Sequence, residues 1–150
     1  MLTLRRPTID EACVLTDLCL RSKAVWGYDE AFMHACRGEL TIESAELCSP
    51  WVQVAECSGR LVGFVQMRLG GATAELSRLF VEPTDLRTGV GRRLFNWATT
   101  VARNSGATTL MIEADPGAVG FYRRMGARDD GTAPSGSIPG RFIPRLLLSL

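Results

Sequence analysis

Histidine is nearly absent from this sequence: His34 is the single one in 150 residues. The five cysteines, Cys13, Cys19, Cys36, Cys48 and Cys57, include no pair with C-x-x-C spacing. A zinc or redox site of that kind is not indicated, and no metal is expected. The cysteines read as small, reduced, mostly buried residues. A catalytic pair of His34 and Cys36 is disfavoured, because two residues apart on a helix they point to different faces. An excess of charge is missing too. The formal net charge of +1 gives no general argument for nucleic acid or membrane binding, and neither partner is expected. There is no long apolar run to span a bilayer. The first seven residues lack the apolar stretch of a signal peptide, so a cytoplasmic location is the expectation. No repeat, linker or low-complexity block divides the chain.

What is there suits one compact domain over 1–150, with 46% apolar and 22% charged residues. After a short extended start, Thr8-Ile9-Asp10-Glu11 matches the capping-box pattern that opens a helix. Val14, Leu15, Leu18 and Cys19 give an apolar stripe, which predicts a helix to about residue 22. A second helix is expected over 29–37 and a short third over 44–47. From Trp51 the pattern changes to strands at 51–57, 61–69 and 73–81. Ser58-Gly59 and Gly70-Gly71 are turn signals between them, so the three form an antiparallel meander. A helix over 89–104 has one apolar face built from Val90, Leu94, Trp97, Ala98 and Val101. A short strand at 110–114, a short helix at 118–125 and a closing strand at 146–150 follow. The region between 127 and 141 reads as a Gly-, Pro- and Ser-rich loop. Helices come first, then the meander, then strand-helix-strand-helix-strand, which makes an α/β sheet covered by helices.

The junction from Phe80 to Arg93 runs strand, loop, helix. The first turn of a helix has backbone N–H groups without partners and roughly half a positive charge from the macrodipole, which together favour a phosphate. Gly89 and Gly91 let backbone approach an anion, and Arg87, Arg92 and Arg93 add charge-assisted donors. The pattern is neither a P-loop, which needs Gly-Lys-Ser/Thr, nor a dinucleotide fingerprint, whose third glycine is replaced by Leu94. Taken alone, the two glycines fit a tight strand-to-helix turn equally well.

The run Leu76-Ser77-Arg78-Leu79-Phe80-Val81-Glu82-Pro83, followed by Arg87-Thr88-Gly89-Val90-Gly91-Arg92-Arg93-Leu94, resembles the acetyl-CoA motif of the GNAT superfamily of N-acetyltransferases. That motif is written Gln/Arg-x-x-Gly-x-Gly/Ala. The later stretch Asp115 to Ala127, with Phe121-Tyr122-Arg123-Arg124-Met125-Gly126-Ala127, resembles the family's second motif, Phe-Tyr-x-x-x-Gly-Phe/Ala. Leu86 departs from the first motif, with Arg87 one place later as a substitute. Asp115 and Gly117 stand where relatives often carry asparagine. Two further segments, 21–29 and 135–141, look similar to one bacterial subgroup.

The resemblance implies a GNAT-like α/β (α+β) fold. Its mixed, mostly antiparallel sheet has about six to seven strands and about four flanking helices, and splays between the fourth and fifth strands. It implies acetyl-CoA as co-substrate, a primary amine of a small molecule as acceptor, and direct attack on the thioester. Leu79, Phe80 and Val81 would pair with the pantetheine arm. Arg87, Thr88, Gly89, Val90, Gly91 and Arg92 would hold the pyrophosphate, with Ala118 and Phe121 also on the cofactor side. Tyr122 is the implied general acid and also fits a packing role. Glu75 is the implied base, on the face of Leu79 and Val81, and also fits a solvent-facing glutamate. Glu82 and Asp115 are weaker candidates. Trp26, Tyr28, Asp29 and Phe32 suit an acceptor pocket for a cationic amine, although Trp26 and Phe32 equally suit a core and Asp29 an N-cap. The loop with Ser137, Pro139 and Arg141 is placed to close the site. A non-catalytic acyl-CoA-binding regulatory module and a protein N-acetyltransferase are the rival readings. A homodimer is common in the family, and no sequence feature requires one.

Overall fold

Alternation of apolar and polar residues builds a seven-stranded sheet in the computed structural model, which describes residues 1–150. Strand β1 (Leu2–Arg5) leads into a 3-10 turn, Ile9–Glu11. The Glu11 carboxylate accepts from the Thr8 amide at 2.8 Å and from both terminal nitrogens of Arg5 at 3.0 and 2.8 Å. The Arg5 guanidinium holds the Glu11 carboxyl down to about 2, against the opposing effect of burial. Helices α1 (Ala12–Ala24) and α2 (Glu30–Leu40) follow, then a 3-10 turn at Ser44–Cys48.

The meander is β2 (Val52–Cys57), β3 (Arg60–Gly70) and β4 (Thr73–Val81). Ser58 and Gly59, with φ of 52° and 76°, supply the two left-handed positions of a tight hairpin turn. After β4 come α3 (Val90–Asn104), β5 (Thr109–Glu113), α4 (Val119–Arg124), β6 (Arg128–Pro134) and β7 (Phe142–Ser149). The sheet order is β1-β2-β3-β4-β5-β7-β6, and every neighbouring pair is antiparallel except β4 and β5. Helices α3 and α4 cover one face around Leu94, Phe95, Val65 and Ile112. Helices α1 and α2 cover the other around Leu15, Cys36, Val54 and Phe64. No helix is long and apolar enough to cross a membrane.

One irregularity organises the centre. Leu76 pairs with Met67 and Arg78 with Gln66, so Ser77 is an extra residue in β4. Before this bulge Ala74 and Leu76 face the α3 side. After it Leu79 and Val81 do so, while Phe80 joins the α1–α2 core. The parallel pairing of β4 with β5 stops at Leu76 and Ile112. Beyond that point the two strands part.

Four expectations change. The segment 127–141 contains β6, which the sequence pattern hides: Asp129, Asp130, Gly131 and Pro134 give no apolar alternation because β6 is an edge strand. Strand β7 also starts earlier than the apolar run does. Val14 is exposed, and Ala12 takes its place in the α1 stripe. Only Cys19 and Cys36 are buried, with Cys13 and Cys48 exposed and Cys57 between; all five are free thiols.

Gly63 marks where α3 meets the sheet most closely. A Cβ there would lie 2.7 Å from Leu94 and 2.8 Å from Val90. Gly63→Val should cost about 1–3 kcal/mol by overpacking, read as a fall of several degrees in Tm. An unchanged Tm would show that α3 can slide off the sheet freely.

Candidate active site

Strand β4 delivers the chain to α3 through a loop pinned from both sides. The Glu82 amide donates to the Val62 carbonyl at 2.8 Å. Arg21 on α1 grips the Glu82 carboxylate at 2.8 and 2.7 Å. Arg60 reaches from the hairpin to Asp85 at 2.9 and 3.3 Å. Arg87 and Gly89 then adopt left-handed backbone, at φ of 62° and 93°. The first amide to find a carbonyl in the helix is that of Arg93, on Gly89 at 3.0 Å. The amides of residues 87–92 stay available to an anion, and Arg87, Arg92 and Arg93 stand exposed around them. The two glycines serve different needs. Gly89 has open space around it and is required by its φ. At Gly91 a Cβ would make an ordinary van der Waals contact, 3.4 Å from the Phe121 ring, where α4 packs close to α3.

Behind this cradle the backbone of residues 77–81 has lost β5 as a neighbour, because the pairing ends at Leu76. Ser77 Oγ is buried at the start of the opening and has no hydrogen-bond partner. Tyr122 on α4 is buried in the same core as Val81 and Leu76. Its ring packs against Phe95 at 5.9 Å and Phe121 at 5.2 Å between centroids. Burial alone pushes its phenol well above the ordinary value, since no charge or hydrogen bond contributes. Tyr122 is therefore a neutral, proton-bearing group throughout the physiological range. Ala118 and Phe121 flank the same core.

The other candidates are distributed differently from the sequence expectation. Glu75 does not share the face of Leu79 and Val81. It alternates with Ala74 and Leu76 and so points to the α1–α2 side, because the bulge at Ser77 reverses the parity of the strand. Its only ion pair is a long 3.9 Å contact with the exposed Arg68. Glu82 is held by Arg21. Asp115 accepts from Tyr28 at 2.7 Å, from Lys23 at 2.9 Å and from the Gly117 amide at 3.0 Å. Burial pushes the Asp115 carboxyl up, but those donors outweigh it and hold the group below the usual carboxylate range. Neither Glu82 nor Asp115 is free to act as a base.

Asp29 caps α2, accepting from the Phe32 amide at 2.8 Å. Trp26 lies flat on Gly117, where a Cβ would come within 2.5 Å of the indole. This explains the glycine in place of a larger residue at 117. Tyr28 and Phe32 stack at 3.9 Å. Two cations of the chain itself already lie against that stack: Lys23 at 5.4 and 5.8 Å, and Arg141 at 5.3 and 4.9 Å. Arg141 also donates to the Tyr28 hydroxyl at 2.8 Å. Sequence reasoning passed over Lys23. Its only signal was membership of the segment 21–29, whose partner in space proves to be the loop 135–141. His34 is exposed and Cys36 buried, so they form no pair.

An open strand edge that ends on a row of unpaired amides suits a ligand with amides along its length and phosphates at its end. That is the make-up of an acyl-CoA. The chain belongs to the GNAT acetyltransferase family: the model of the Acetyltransferase (GNAT) family matches residues 17–127. Its fold is similar to that of the PaiA N-acetyltransferase of Thermoplasma acidophilum, solved with coenzyme A. The TM-score is 0.84 at 17% identity, over 100% of this chain and 99% of that one. It is also similar to YncA of Salmonella typhimurium, a putative acetyltransferase solved with acetyl-CoA. Here the TM-score is 0.70 at 16% identity, over 99% and 94% of the two chains. A nourseothricin acetyltransferase shares 30% identity over 65% of this chain and 64% of that one, with a TM-score of 0.61. No curated protein matches the sequence.

The Asp115 cluster has a pH signature. The folded pKa lies below the unfolded one, so its stabilisation is complete above the ordinary carboxylate range and is lost as pH falls through the folded value. Asp115→Asn should lower Tm at neutral pH, and the gap from wild type should close below about pH 4. A gap that stays constant down to pH 3 would show that the carboxylate charge plays no part.

Proposed function

We propose that the protein is an N-acetyltransferase that moves the acetyl group of acetyl-CoA to a primary amine of a small molecule by direct attack. The observation that carries this reading is Tyr122, a buried neutral phenol with no hydrogen bond contributing to its state, on the helix packed against the anion cradle. Acetyl-CoA supplies the activated acyl group and a thiolate leaving group. The amides of residues 87–92 hold the phosphates, and the backbone of Leu79, Phe80 and Val81 pairs with the arm and polarises the acyl carbonyl.

Tyr122 donates its proton toward the departing sulfur. A thiol and a phenol both become anions on losing a proton, so the burial that raises Tyr122 raises a thiol in the same surroundings as well. The two acids therefore remain matched. An alkylammonium has a pKa of roughly 10, so the acceptor must also lose a proton. Glu75 takes it through a water, and the second proton, shed as the nitrogen becomes an amide, replaces the one Tyr122 gives to sulfur. The place of Glu75 on the α1–α2 side, two residues before the bulge, supports this role, and its weak contact with Arg68 leaves the carboxylate available.

The small-molecule acceptor is supported by closure of the α1–α2 side. There the loop 135–141 is tied to α2 by the Ser137 hydroxyl on Glu39 and to Tyr28 by Arg141. The nourseothricin acetyltransferase also bears the name of a small molecule.

A screen of primary amines for release of free CoA tests the activity directly. For Tyr122→Phe, kcat should fall by about 10²–10⁴-fold while acetyl-CoA still binds. An unchanged kcat would remove Tyr122 as the acid, and no CoA release from any amine would remove the reading.

A further inference from the structure

Arginines that are not exposed normally keep a carboxylate beside them, because a desolvated guanidinium without a counter-charge is costly. In this chain Arg5, Arg78 and Arg145 obey the rule, paired with Glu11, Glu46 and Asp130. Arg141 does not. It is half-buried, and its one side-chain hydrogen bond goes to the neutral hydroxyl of Tyr28 at 2.8 Å. The Tyr28 proton is already committed to Asp115 at 2.7 Å, so the phenol oxygen is purely an acceptor toward Arg141. A guanidinium has five N–H donors, and one is used. The aromatic stack beneath it offsets part of the charge but supplies no hydrogen-bond acceptor.

Arg141 opens onto a small, partly open cavity of about 30 Å³ between α1, α2 and the loop 135–141. Lys23 lines the same cavity. Its ammonium gives one bond to Asp115 and keeps two N–H groups. Ser135 and Ser137 complete the polar wall. Glu39, the remaining carboxylate there, is engaged by the Ser137 hydroxyl. Lys23 thus has Asp115, whereas Arg141 has no carboxylate within ion-pair distance. The cavity is also linked to the end of β5, where β4 leaves it. Arg141 is two hydrogen bonds, through Tyr28, from Asp115, which follows directly on the open end of β5.

We propose that the acceptor is an amine that also carries a carboxylate, and that Arg141, with Lys23 beside it, binds that carboxylate. The inference rests on the acetyltransferase reading and narrows its substrate class to amino acids and related amino-carboxylates. The planar fork of a guanidinium matches a carboxylate in two parallel bonds, and the cavity has room for a group of that size. An uncharged amine would leave Arg141 without its counter-charge. A cationic polyamine would supply Arg141 with no counter-charge either.

The test compares matched acceptors on the wild-type protein, in the presence of CoA for thermal shift and of acetyl-CoA for turnover. The series contains amino-carboxylates, their primary amides, and amines bearing a phosphate ester. The carboxylates should raise Tm and be acetylated, with the amides weaker on both counts. Arg141→Gln should raise the acceptor KM about 10- to 100-fold, as expected for loss of charged hydrogen bonds, with the acetyl-CoA KM unchanged. Arg141→Lys should recover part of the loss. The unchanged acetyl-CoA KM also reports that the variant is folded.

Amides that bind and react as well as the acids would overturn the proposal, as would an Arg141→Gln protein with an unchanged acceptor KM. Stronger binding of the phosphate esters would overturn the carboxylate assignment. If no carboxylate raises Tm, the proposal fails whatever the amides do. Carboxylates that raise Tm but are never acetylated would support the anion site and contradict the acetyltransferase reading.

Discussion

Strand β4 carries one more residue than β3 needs, and this extra residue, Ser77, determines where the sheet opens. Up to Leu76 the strand is an ordinary interior strand, paired with β3 on one side and β5 on the other. After the bulge it keeps β3 and loses β5. Backbone amides and carbonyls that would cost free energy if buried unpaired are then left for a ligand. The same insertion reverses the faces of the strand. Leu79 and Val81 return to the core under α3, while Glu75 stays on the α1–α2 side. The bulge thus returns β4 to the α3 core at Leu79 and Val81 and sends Phe80 into the α1–α2 core.

The two ends of the opening are held by charge. At the α3 end, Arg21–Glu82 and Arg60–Asp85 fix the loop that leads into the helix, so its unpaired amides are pre-positioned. At the other end, Lys23, Asp115, Tyr28 and Arg141 join α1, the end of β5, the α1–α2 connection and the loop 135–141. Those segments are far apart in sequence, and only the tertiary fold brings them together. Half-buried charge–hydrogen-bond networks of this kind lose more when one member is removed than an exposed ion pair does.

Much of the fold was legible because its periodicities are strong. The meander, α3 and the turn at Ser58-Gly59 follow from alternation, an apolar helical face and left-handed turn residues. The tight turn into α3 was legible from glycine spacing, and Gly89 takes the left-handed φ there. Strand β6 was not legible, since an edge strand with Asp129 and Asp130 needs no apolar face. The facing of Glu75 was misread because a bulge leaves no mark on a count of two. The pairing of Lys23 with Asp115, 92 positions later in the chain, has no local signal at all.

Backbone amide exchange measured residue by residue, with and without CoA, tests the central claim most directly. The amides of Leu79 and Val81, which point away from β3, and those of residues 87–92 should become protected on binding, while those from Arg93 onward in α3, already bonded within the helix, should change little. Binding of CoA that leaves the amides of both segments unprotected would contradict the account.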